Sequence, residues 1–468
     1  MRALVLEDQN YTAALAIVRA LGARGHVADV AAPWSTPGSL SRWCARALTA
    51  PWASDQPRYA DFVSSLLNEE AYDIGFACTD SVIGIISGMR AQLPPRPDFL
   101  LPPAESLAIA ISKLCSQRFA ADLGLPTPRT IAIHGSREIS WAVRELGFPL
   151  VIKGDKGSGG AHVRYAANLD ELRRAYQETA ACPRVGQPMA QEFIPGDVYL
   201  THVLYDRGEL VAICSHLKER HFPVSGGITA RGITVHEPEL DRLAMRIFSA
   251  LRWHGPAKAD FKRDQRDGRF KLMELDPRIS ASIDIPAAAG VDMIEMGCRM
   301  VSGERVEPSL EYAKGIRVRY VCRDMLCLAA QPALLPSFVF DALDRRIRSN
   351  FDWRDLRGSL GLMWRAKWAF EDAWAQGQLT GDRNGCPMGV RRSRARRQAH
   401  RALLLPVVGG LRAVGVLYRA ARLARRGAGA ALARGARVRH STGDEGPLKK
   451  HEVVGSTTPN ADHAARSR

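Results

Sequence analysis

The sequence has no paired cysteines, no long apolar run and neither of two common phosphate-binding signatures. Its nine cysteines are scattered, without a CxxC pair or zinc-ligand spacing, which is typical of reduced thiols in a cytosolic protein. No apolar stretch reaches the roughly 18 residues of a membrane-spanning helix, and the apolar run at the N-terminus is too short for a signal peptide. GxxxxGK(S/T) is missing, and GxGxxG fails because His162 stands at its last position. These absences exclude a disulfide scaffold and predict a cytoplasmic protein.

Acidic residues are scarce at one end of the chain only. The 468 residues carry a formal net charge of +16, but residues 381–468 hold 19 lysines and arginines against five acidic residues. The remaining 380 residues are nearly neutral, at +2. Their share of apolar residues is ordinary for a globular protein, so they can build a core. At about 150 residues per domain, the length of the whole chain predicts roughly three domains. The basic charge therefore belongs to a C-terminal extension and not to the body of the protein.

The basic extension leaves three functions open. An arginine cluster at 391–397 precedes a largely apolar stretch, Leu403–Tyr418, and residues 438–468 have the composition of a disordered segment. Such an extension binds an anionic membrane surface, binds an acidic polymer such as nucleic acid, or is simply solvated. Because Tyr418 is its only aromatic residue, nucleic acid is the least favoured partner. A membrane interaction would place the protein at the inner membrane face.

The first hundred residues follow the pattern of a parallel α/β domain. A short apolar strand, a helix over Tyr11–Ala23 and a strand over His26–Ala32 form a β-α-β unit. A further apolar strand, Tyr72–Cys78, is followed by Asp80, and polar residues at the carboxyl end of such a strand often face a ligand. Asp80 is equally well explained as the N-cap of a helix over Ser81–Met89.

Beyond a proline-rich linker at 92–104, the pattern alternates helices and strands, which is typical of the α/β class. The sequence predicts helices over Ala104–Leu123, Ser136–Leu146, His236–Leu251, Pro332–Arg346 and Ser359–Ala375, and strands over Thr130–Ile133, Pro149–Lys153, Val198–Tyr205, Glu209–Ser215, Ala257–Lys262 and Arg269–Asp276.

A lysine followed by a glycine-rich loop is the first candidate site. Lys153 ends a predicted strand, and the loop after it contains Gly157, Gly159 and Gly160 before a second strand begins near Val163. Glycines let backbone N–H groups approach phosphate oxygens closely, and a lysine supplies a point charge for a phosphate. The pattern indicates phosphate binding, although a glycine-rich hairpin turn has a similar sequence.

Three carboxylates and an arginine form the second candidate site. On the strand that ends at Asp276, a period of two places Glu274 and Asp276 on one face, and Asp260 on the neighbouring hairpin strand reaches the same face. Three carboxylates repel one another without a cation, and Mg²⁺ prefers oxygen ligands of this kind. Arg278, two residues further on, is placed to hold an anion or a transferring phosphoryl group. The alternative is a solvated hairpin edge.

These residues occur in the order found in ATP-grasp enzymes. The features that resemble the family are Lys113, Lys153 with its Gly-Ser-Gly-Gly loop, the segment Gln191–Asp197, and the series Asp260, Glu274, Asp276 and Arg278. Over about residues 1–310 the sequence is most similar to predicted ATP-dependent carboligases that resemble carbamoyl-phosphate synthase. The resemblance implies a Rossmann-like pre-ATP-grasp domain at 1–105, an ATP-grasp fold of α+β type at 106–310, an accessory region at 311–380, and a basic, partly amphipathic and partly disordered tail at 381–468.

The resemblance also implies a role for each residue. Lys113 and Lys153 would bind the ATP phosphates, and the loop residues Gly157, Ser158, Gly159 and Gly160 would close over them. Adenine would be held by Gln191, Glu192, Phe193 and Ile194, the ribose by Asp197, and two Mg²⁺ or Mn²⁺ ions by Asp260, Glu274 and Asp276. Two residues depart from the usual pattern, since Asp276 stands where Asn is usual and His162 replaces a frequent glycine.

The implied activity is that of a ligase. Such an enzyme transfers the γ-phosphoryl group of ATP to a substrate carboxylate, and an amine then displaces phosphate from the acyl phosphate. Lys153, Arg278 and Arg231 are the candidate catalytic residues. The segment 218–232 is either a lid, in which Lys218, Arg220 or Arg231 grips the acyl phosphate, or a basic solvated loop.

The partners implied by a ligase are a small carboxylate, an amine and a second copy of the chain in a homodimer. Two other functions stay open. One is a carboxylase of this family that uses bicarbonate, and the other is a non-catalytic ATP-binding module tethered by its basic tail.

Overall fold

The computed structural model describes residues 1–157, 163–224 and 226–375, all of which lie in one compact unit. The strands are β1 (Arg2–Leu6), β2 (Val27–Ala32), β3 (Cys44–Thr49), β4 (Ile74–Ala77), β5 (Thr130–Ala132), β6 (Leu150–Gly154), β7 (Arg164–Ala166), β8 (Pro188–Glu192), β9 (Val198–Asp206), β10 (Glu209–Phe222), β11 (Ile228–Thr234), β12 (Gly255–Arg263), β13 (Phe270–Asp276), β14 (Arg317–Arg319) and β15 (Arg348–Ser349). The helices are α1 (Tyr11–Ala23), α2 (Pro37–Leu40), α3 (Gln56–Glu69), α4 (Asp80–Gly88), α5 (Ala104–Ile111), α6 (Lys113–Asp122), α7 (Ser136–Leu146), α8 (Leu169–Ala180), α9 (Pro238–Ala250), α10 (Asp284–Ala288), α11 (Met293–Val301), α12 (Val321–Ala330), α13 (Leu335–Leu343) and α14 (Leu356–Ala375).

The chain opens with a four-stranded parallel sheet in the order β3-β2-β1-β4. Successive residues of β1 point to opposite faces, and both faces are buried, because Ala3 and Val5 belong to one apolar core and Leu4 and Leu6 to another. The predicted β-α-β opening is confirmed. Since β2 and β3 lie on one side of β1 and β4 lies on the other, the strand order reverses between β1 and β4.

The second sheet has seven strands in the order β13-β12-β9-β10-β11-β14-β15. On β12 the residues Ala257, Ala259 and Phe261 pack with residues of α9 in one apolar core. The alternate residues Lys258 and Asp260 therefore point to the opposite side of the sheet. One face of this sheet is thus apolar, and the other carries charged groups.

The third sheet has four strands in the order β5-β8-β6-β7 and shares a core with α7 and α8. Its central strand β6 contains Lys153, which lies opposite Met189 of β8. The strand predicted to deliver this lysine is therefore present and continues to Gly154.

Three local predictions differ from the structure. The single helix predicted over Ala104–Leu123 is two helices, α5 and α6, because the Ser112 hydroxyl caps a new helix. Thr79 and not Asp80 caps α4 with its side chain. The segment 218–232 is no loop-like lid, because most of it lies in β10 and β11, which pair with each other through backbone hydrogen bonds.

The C-terminal region adds no further described element after α14. Residues 376–468, with the predicted basic tail and its Leu403–Tyr418 stretch, lie outside the described residues. Among the residues that are described, no helix combines the length and the apolar character needed to cross a membrane.

Candidate active site

Three carboxylates meet on the charged face of the seven-stranded sheet. Asp260 of β12 lies opposite Glu274 of β13, and Asp276 follows two residues later on the same face. One oxygen from each carboxylate lies within 4.8 Å of those from the other two. Asp260 and Asp276 are buried, and Glu274 is half-buried. The cluster predicted from the spacing is therefore present in a geometry that could hold a metal ion.

A lysine lies inside this cluster. Lys258 precedes Asp260 by two residues on β12 and pairs across the sheet with Asp276. Its ammonium contacts the Asp260 carboxylate and lies 2.7 Å from that of Asp276. The repulsion that the three carboxylates would feel without a metal is thus partly relieved by the protein itself.

Two further lysines reach the cluster from other elements. Lys218 of β10 lies 3.3 Å from Asp260, and Lys113, at the start of α6, lies 3.5 Å from Glu274. Lys218 also donates to the Gly227 carbonyl oxygen at 3.2 Å. The carboxylates are consequently surrounded by cations from three separate parts of the chain.

Two cations keep the buried Asp276 carboxylate ionised. Burial raises the pKa of Asp276, but the charges of Lys258 and Arg278 outweigh burial and hold that pKa well below its usual range. Burial lowers the pKa of Lys258, but the charges of Asp260 and Asp276 more than reverse this and raise it above its ordinary value. Both members of the pair therefore stay charged at neutral pH.

Two lysines from different elements converge beside the carboxylates. Lys153 lies near the end of β6 and is 7% exposed, and Lys113 is the first residue of α6. Asp155 joins the two elements, because its carboxylate accepts from the Ser112 hydroxyl and the Leu114 N–H, both at 2.8 Å. Burial and the charge of Lys113 lower the pKa of Lys153 to about 8. The two ammonium groups are thus placed as a pair that an anion would stabilise.

Only the start of the glycine-rich loop is described. The Lys113 ammonium donates to the carbonyl oxygen of Gly157, whose φ of +98° favours glycine. The remaining loop residues predicted to close over phosphates, together with the unusual histidine, lie outside the described residues: Ser158, Gly159, Gly160 and His162.

The segment expected to hold adenine runs from the end of β8 into the following loop. Gln191 is buried, and its side-chain N–H donates to the Thr130 hydroxyl oxygen at 2.8 Å. The side-chain carbonyl oxygen of Gln191 has no hydrogen-bond partner in the described part of the chain. Glu192 is buried and lies beside cationic side chains, and the Ile194 carbonyl oxygen accepts from Lys262.

The rest of this segment has a fixed backbone. The Phe193 ring packs edge-on against Tyr165 at 5.8 Å between ring centres. Gly196 has a φ of +134°, and a Cβ there would lie 1.9 Å from the Arg263 carbonyl oxygen, so only glycine fits. Asp197, the residue expected to bind ribose, is exposed.

Arg278 connects the carboxylate cluster to the N-terminal sheet. Its Nε donates to Asp80 Oδ1 at 2.8 Å, and its Nη2 lies 3.5 Å from Asp276 Oδ1. Asp80 is the first residue of α4, three residues beyond β4, and through Arg278 it is in contact with the candidate site. The arginine is buried between the two carboxylates.

Arg231 lies in a different group of charges. Its Nε is 2.9 Å from the Glu219 carboxylate, and its Nη1 contacts Asp341 of α13. Arg220 contacts the same Asp341 and lies 3.0 Å from Asp324 of α12. These ion pairs tie β10 and β11 to the accessory helices, and no described contact joins Arg231 to the carboxylate cluster. A catalytic role for Arg231 would require these ion pairs to break.

Asp155 and Lys258 are site residues that sequence reasoning misses, although each leaves a signal. Lys258 alternates with Asp260, and the hairpin register that brings Asp260 opposite Glu274 also brings Lys258 opposite Asp276. Asp155 follows the lysine strand directly, but its partners on α6 are about forty residues away in sequence. A contact of that kind is visible only in three dimensions.

Part of the chain matches a known family. Residues 185–323 match the model described as ATP-grasp in the biosynthetic pathway with Ter operon. The matched range includes the segment 191–197, the three carboxylates and Arg278, and it leaves out Lys113 and Lys153.

Curated relatives align over about two-fifths of the chain. The carbamoyl phosphate synthase large chain of Methanoculleus marisnigri is 24% identical over 203 residues, which are 42% of this chain and 19% of that protein. The D-alanine–D-alanine ligase of Ectopseudomonas mendocina is 27% identical over 198 residues, which are 39% of this chain and 60% of that ligase. The alignments thus span from about a fifth to three-fifths of the relatives' own length.

A solved structure extends the likeness to the fold. The biotin carboxylase domain dimer of the Hydrogenobacter thermophilus 2-oxoglutarate carboxylase, in complex with MgADP, ADP and bicarbonate, gives a TM-score of 0.57 at 17% sequence identity. The superposition covers 68% of this chain and 73% of that chain. At this level of identity the likeness shows the fold alone.

Proposed function

We propose, from the ATP-grasp resemblance that the sequence and the fold share, that this protein is an ATP- and Mg²⁺-dependent ligase. It phosphorylates a substrate carboxylate and joins the resulting acyl group to an amine. The observation that carries the proposal is the meeting of Asp260, Glu274 and Asp276 beside Lys113 and Arg278.

Mg²⁺ fits the carboxylate cluster by the chemistry of the donors. Three carboxylates offer hard oxygen ligands within 4.8 Å of one another. Lys258 contacts two of them, so metal binding requires its ammonium to move away from Asp260 or Asp276. When bound there, the ion neutralises nucleotide phosphates and the charge on the transferred group.

The nucleotide is held by groups from α6, from the third sheet and from the loop after β8. Lys113 and Lys153 bind phosphate oxygens, which favour the charged form of the Lys153 ammonium group. The side-chain carbonyl oxygen of Gln191, buried and without a partner in the described chain, is an acceptor for an adenine N–H. Asp197, at the exposed end of this segment, is an acceptor for ribose hydroxyls.

Arg278 acts where negative charge develops. In the first step a substrate carboxylate oxygen bonds to the γ-phosphorus of ATP, and the bond to the ADP oxygen breaks. In the second step the amine nitrogen bonds to the acyl carbon, phosphate leaves, and the nitrogen loses a proton. Arg278, fixed by Asp80 and Asp276, donates to the anionic oxygens of the transferred group.

A panel of carboxylate–amine pairs, scored by ATP-dependent release of phosphate, tests this proposal. Turnover by the wild type should require Mg²⁺ and both substrates. Glu274→Gln should lower kcat by about 100-fold or more, because the carboxylate cluster loses a charged group that lies beside Lys113. Phosphate release that is independent of Mg²⁺, or unaffected by Glu274→Gln, would contradict the assignment.

Nucleotide binding is measured separately by titration calorimetry with Mg·ATP. Lys153→Met should weaken binding by at least about tenfold, since one charge-assisted contact to phosphate is removed. Lys314→Met is the matched control, because Lys314 is exposed and lies on none of the elements proposed to hold the nucleotide. Equal affinities for all three proteins would remove the basis for the proposal.

Two other activities give different outcomes in these experiments. Turnover stimulated by bicarbonate without an amine would favour a carboxylase. Tight nucleotide binding without phosphate release across the whole panel would favour a nucleotide-binding module. The structural observation that supports a non-catalytic module is the Lys258 ammonium inside the carboxylate cluster. A homodimer is proposed with the ligase, and sedimentation velocity tests it.

A further inference from the structure

The accessory region presents large apolar side chains to solvent. Four of the nine residues of α13 are exposed side chains of this kind: Leu335, Val339, Phe340 and Leu343. Trp353, just before α14, is 77% exposed. Single exposed apolar residues are ordinary on a protein surface, but several on one element mark a surface that contacts something else.

The helix α13 is inverted relative to an ordinary surface helix. Such a helix buries an apolar stripe and exposes its polar face. In α13 the buried residue is Asp341, which contacts Arg220 and Arg231, and the apolar residues point outward. Because charge pairs attach the helix to β10 and β11, its exposed apolar side chains are left for a contact beyond the described residues.

Exposed arginines follow these apolar side chains along the chain. Five of them lie between positions 345 and 357: Arg345, Arg346, Arg348, Arg354 and Arg357. The acidic residues of the same stretch are buried or half-buried: Asp344, Asp352 and Asp355. The charge that this stretch presents to solvent is therefore mainly positive.

Strand β14 holds the helix and the basic stretch close together. The Arg319 guanidinium lies 4.5 Å from the ring centre of Phe338 on α13, and Arg319 pairs with Ser349 of the edge strand β15. The Arg319 carbonyl oxygen also accepts from the Asn350 N–H at 3.1 Å. Trp353 follows Asn350 by three residues, so at most about 10 Å of chain separates them. Residues 335–357 thus form one region of the surface, called here the α13 surface.

The charge of the α13 surface selects among partners. A second copy related by a twofold axis would bring the arginines of both copies together, and like charges repel. An anionic membrane attracts arginines to its headgroups and accepts Trp, Phe and Leu side chains at its interface. The basic extension begins a few residues after α14 and adds 19 lysines and arginines against five acidic residues. Charge and apolar character therefore agree on a lipid surface.

We propose that the α13 surface lies on an anionic lipid bilayer, with Phe340, Leu343 and Trp353 inserted at the interface and the exposed arginines against lipid phosphates. This attachment goes beyond the ligase function and does not depend on it. Stable attachment takes two weak signals, which here are the α13 surface and the basic extension, so loss of either one lowers the affinity for lipid.

Co-sedimentation of the full-length protein with vesicles tests the proposal. The wild type should bind vesicles of phosphatidylcholine that contain about one-third phosphatidylglycerol, bind pure phosphatidylcholine much more weakly, and be released by high salt. The double variant Phe340→Ser, Trp353→Ser should bind the anionic vesicles at least about tenfold more weakly, because two inserted side chains are lost. Trp141→Ser is the matched control, since Trp141 is an exposed tryptophan on α7, outside the α13 surface.

A second pair of variants tests the charge. Arg345→Gln combined with Arg348→Gln should also weaken binding to anionic vesicles, whereas Arg173→Gln combined with Arg174→Gln, two exposed arginines on α8, should not. All substituted side chains are exposed, so circular dichroism and Tm should match the wild type. If the double variant at 340 and 353 does not fold, Leu343→Ser replaces it.

Three results overturn the proposal. They are no vesicle binding by the wild type, equal binding to neutral and anionic vesicles, and equal affinity of the wild type and the folded apolar variant. Self-association that the apolar variant abolishes, in the absence of vesicle binding, would likewise overturn it and assign the α13 surface to a second copy of the chain.

Discussion

Single charged residues set the properties of the candidate nucleotide site. Lys153 is buried, and Lys113 adds a like charge, so the pKa of Lys153 falls to about 8 from its ordinary 10.5. Phosphate oxygens have the opposite effect, because a negative charge favours the protonated ammonium. The protonation state of one side chain therefore depends on whether nucleotide is bound.

Nucleotide binding should take up protons at mildly alkaline pH. Between about pH 8 and 10.5 the free protein has Lys153 mostly neutral, and phosphate restores its proton, so affinity falls as pH rises through this window. Calorimetry of Mg·ADP at pH 8.5 in buffers of different ionisation enthalpy measures the uptake. Lys153→Arg should bind without it, because arginine stays protonated. Equal uptake in both proteins would assign the proton to another group.

Lys258 contributes to stability because it neutralises buried carboxylates. Lys258→Met leaves Asp260 and Asp276 close together without their main cation, which should lower the free energy of unfolding by about 3 kcal/mol in metal-free buffer. Mg²⁺ should restore part of this loss, so the variant gains a larger metal-dependent increase in Tm than the wild type.

Thermal unfolding in EDTA and in Mg²⁺ measures both effects, with the exposed Lys314→Met as control. A Lys258→Met protein that is as stable as the wild type in EDTA, or indifferent to Mg²⁺, would show that the carboxylates do not act as a linked charge cluster.

At the scale of single residues, the site can be predicted from the sequence where its residues lie close together along the chain. The period of two along β13 suffices to place Glu274 and Asp276 together, and the hairpin adds Asp260. Carboxylate repulsion alone overstates the need for a metal, because Lys258 lies between Asp260 and Asp276 and neutralises part of their charge. Charge balance in a buried cluster depends on every side chain that points into it, including those from distant strands.

Among the elements, α13 shows a reversed pattern of burial. Its acidic residue Asp341 is buried against Arg220 and Arg231, while Phe340 and Leu343 are 61% and 76% exposed. Hydrophobic periodicity cannot predict which face of such a helix is inside. The helix is held to β10 and β11 by charge pairs more than by apolar contact.

Breaking this charge contact should destabilise the protein strongly. Asp341→Asn leaves the buried Arg220 short of a partner and removes one from Arg231, so the free energy of unfolding should fall by about 3 kcal/mol. Denaturant titration measures the change. Asp344→Asn is the control, because its partner Arg346 is exposed and screened by water. Similar effects of the two substitutions would contradict a structural role for the buried pair.

Elements with their own periodicity are predicted well, and elements defined by distant partners are not. The helix α1 has the predicted bounds, and the hairpin strands β12 and β13 differ by a residue or two. The break at Ser112 depends on Asp155 as an anchor, and the strands within 218–232 depend on pairing with each other and with β14. The glycines and cationic residues of the segment 218–232 favour a loop when its sequence is considered alone. The segment forms strands because neighbouring strands pair with it.

For the whole molecule, the N-terminal sheet is not packed as a separate body. Residues of β1, α1 and β2 share one apolar core with residues of α11, near the end of the segment that resembles ATP-grasp enzymes. The domain boundary predicted near residue 105 therefore follows the sequence resemblance alone, because one continuous apolar core contains residues from both sides of it. The sequence cannot reveal such packing, because it joins segments about 270 residues apart.

Removal of the basic extension should separate two properties. A chain ending at Gln378 should keep its Mg·ADP affinity, because every described residue of the candidate nucleotide site precedes that point, and should lose affinity for vesicles of anionic lipid. Calorimetry and vesicle co-sedimentation measure the two. Loss of nucleotide binding on truncation would show that residues beyond 378 belong to the site.

In the proposed ligase, the two contacts of Arg278 predict an order for the reaction. The guanidinium is shared between Asp80 at the sheet edge and Asp276 in the cluster, so an anion formed beside it competes with Asp80 for the same N–H groups. In the proposed ligase, formation of the acyl phosphate then loosens the contact between Arg278 and Asp80. We expect an ordered kinetic scheme, in which nucleotide and carboxylate add first and the nucleophile is admitted only after the activated intermediate exists.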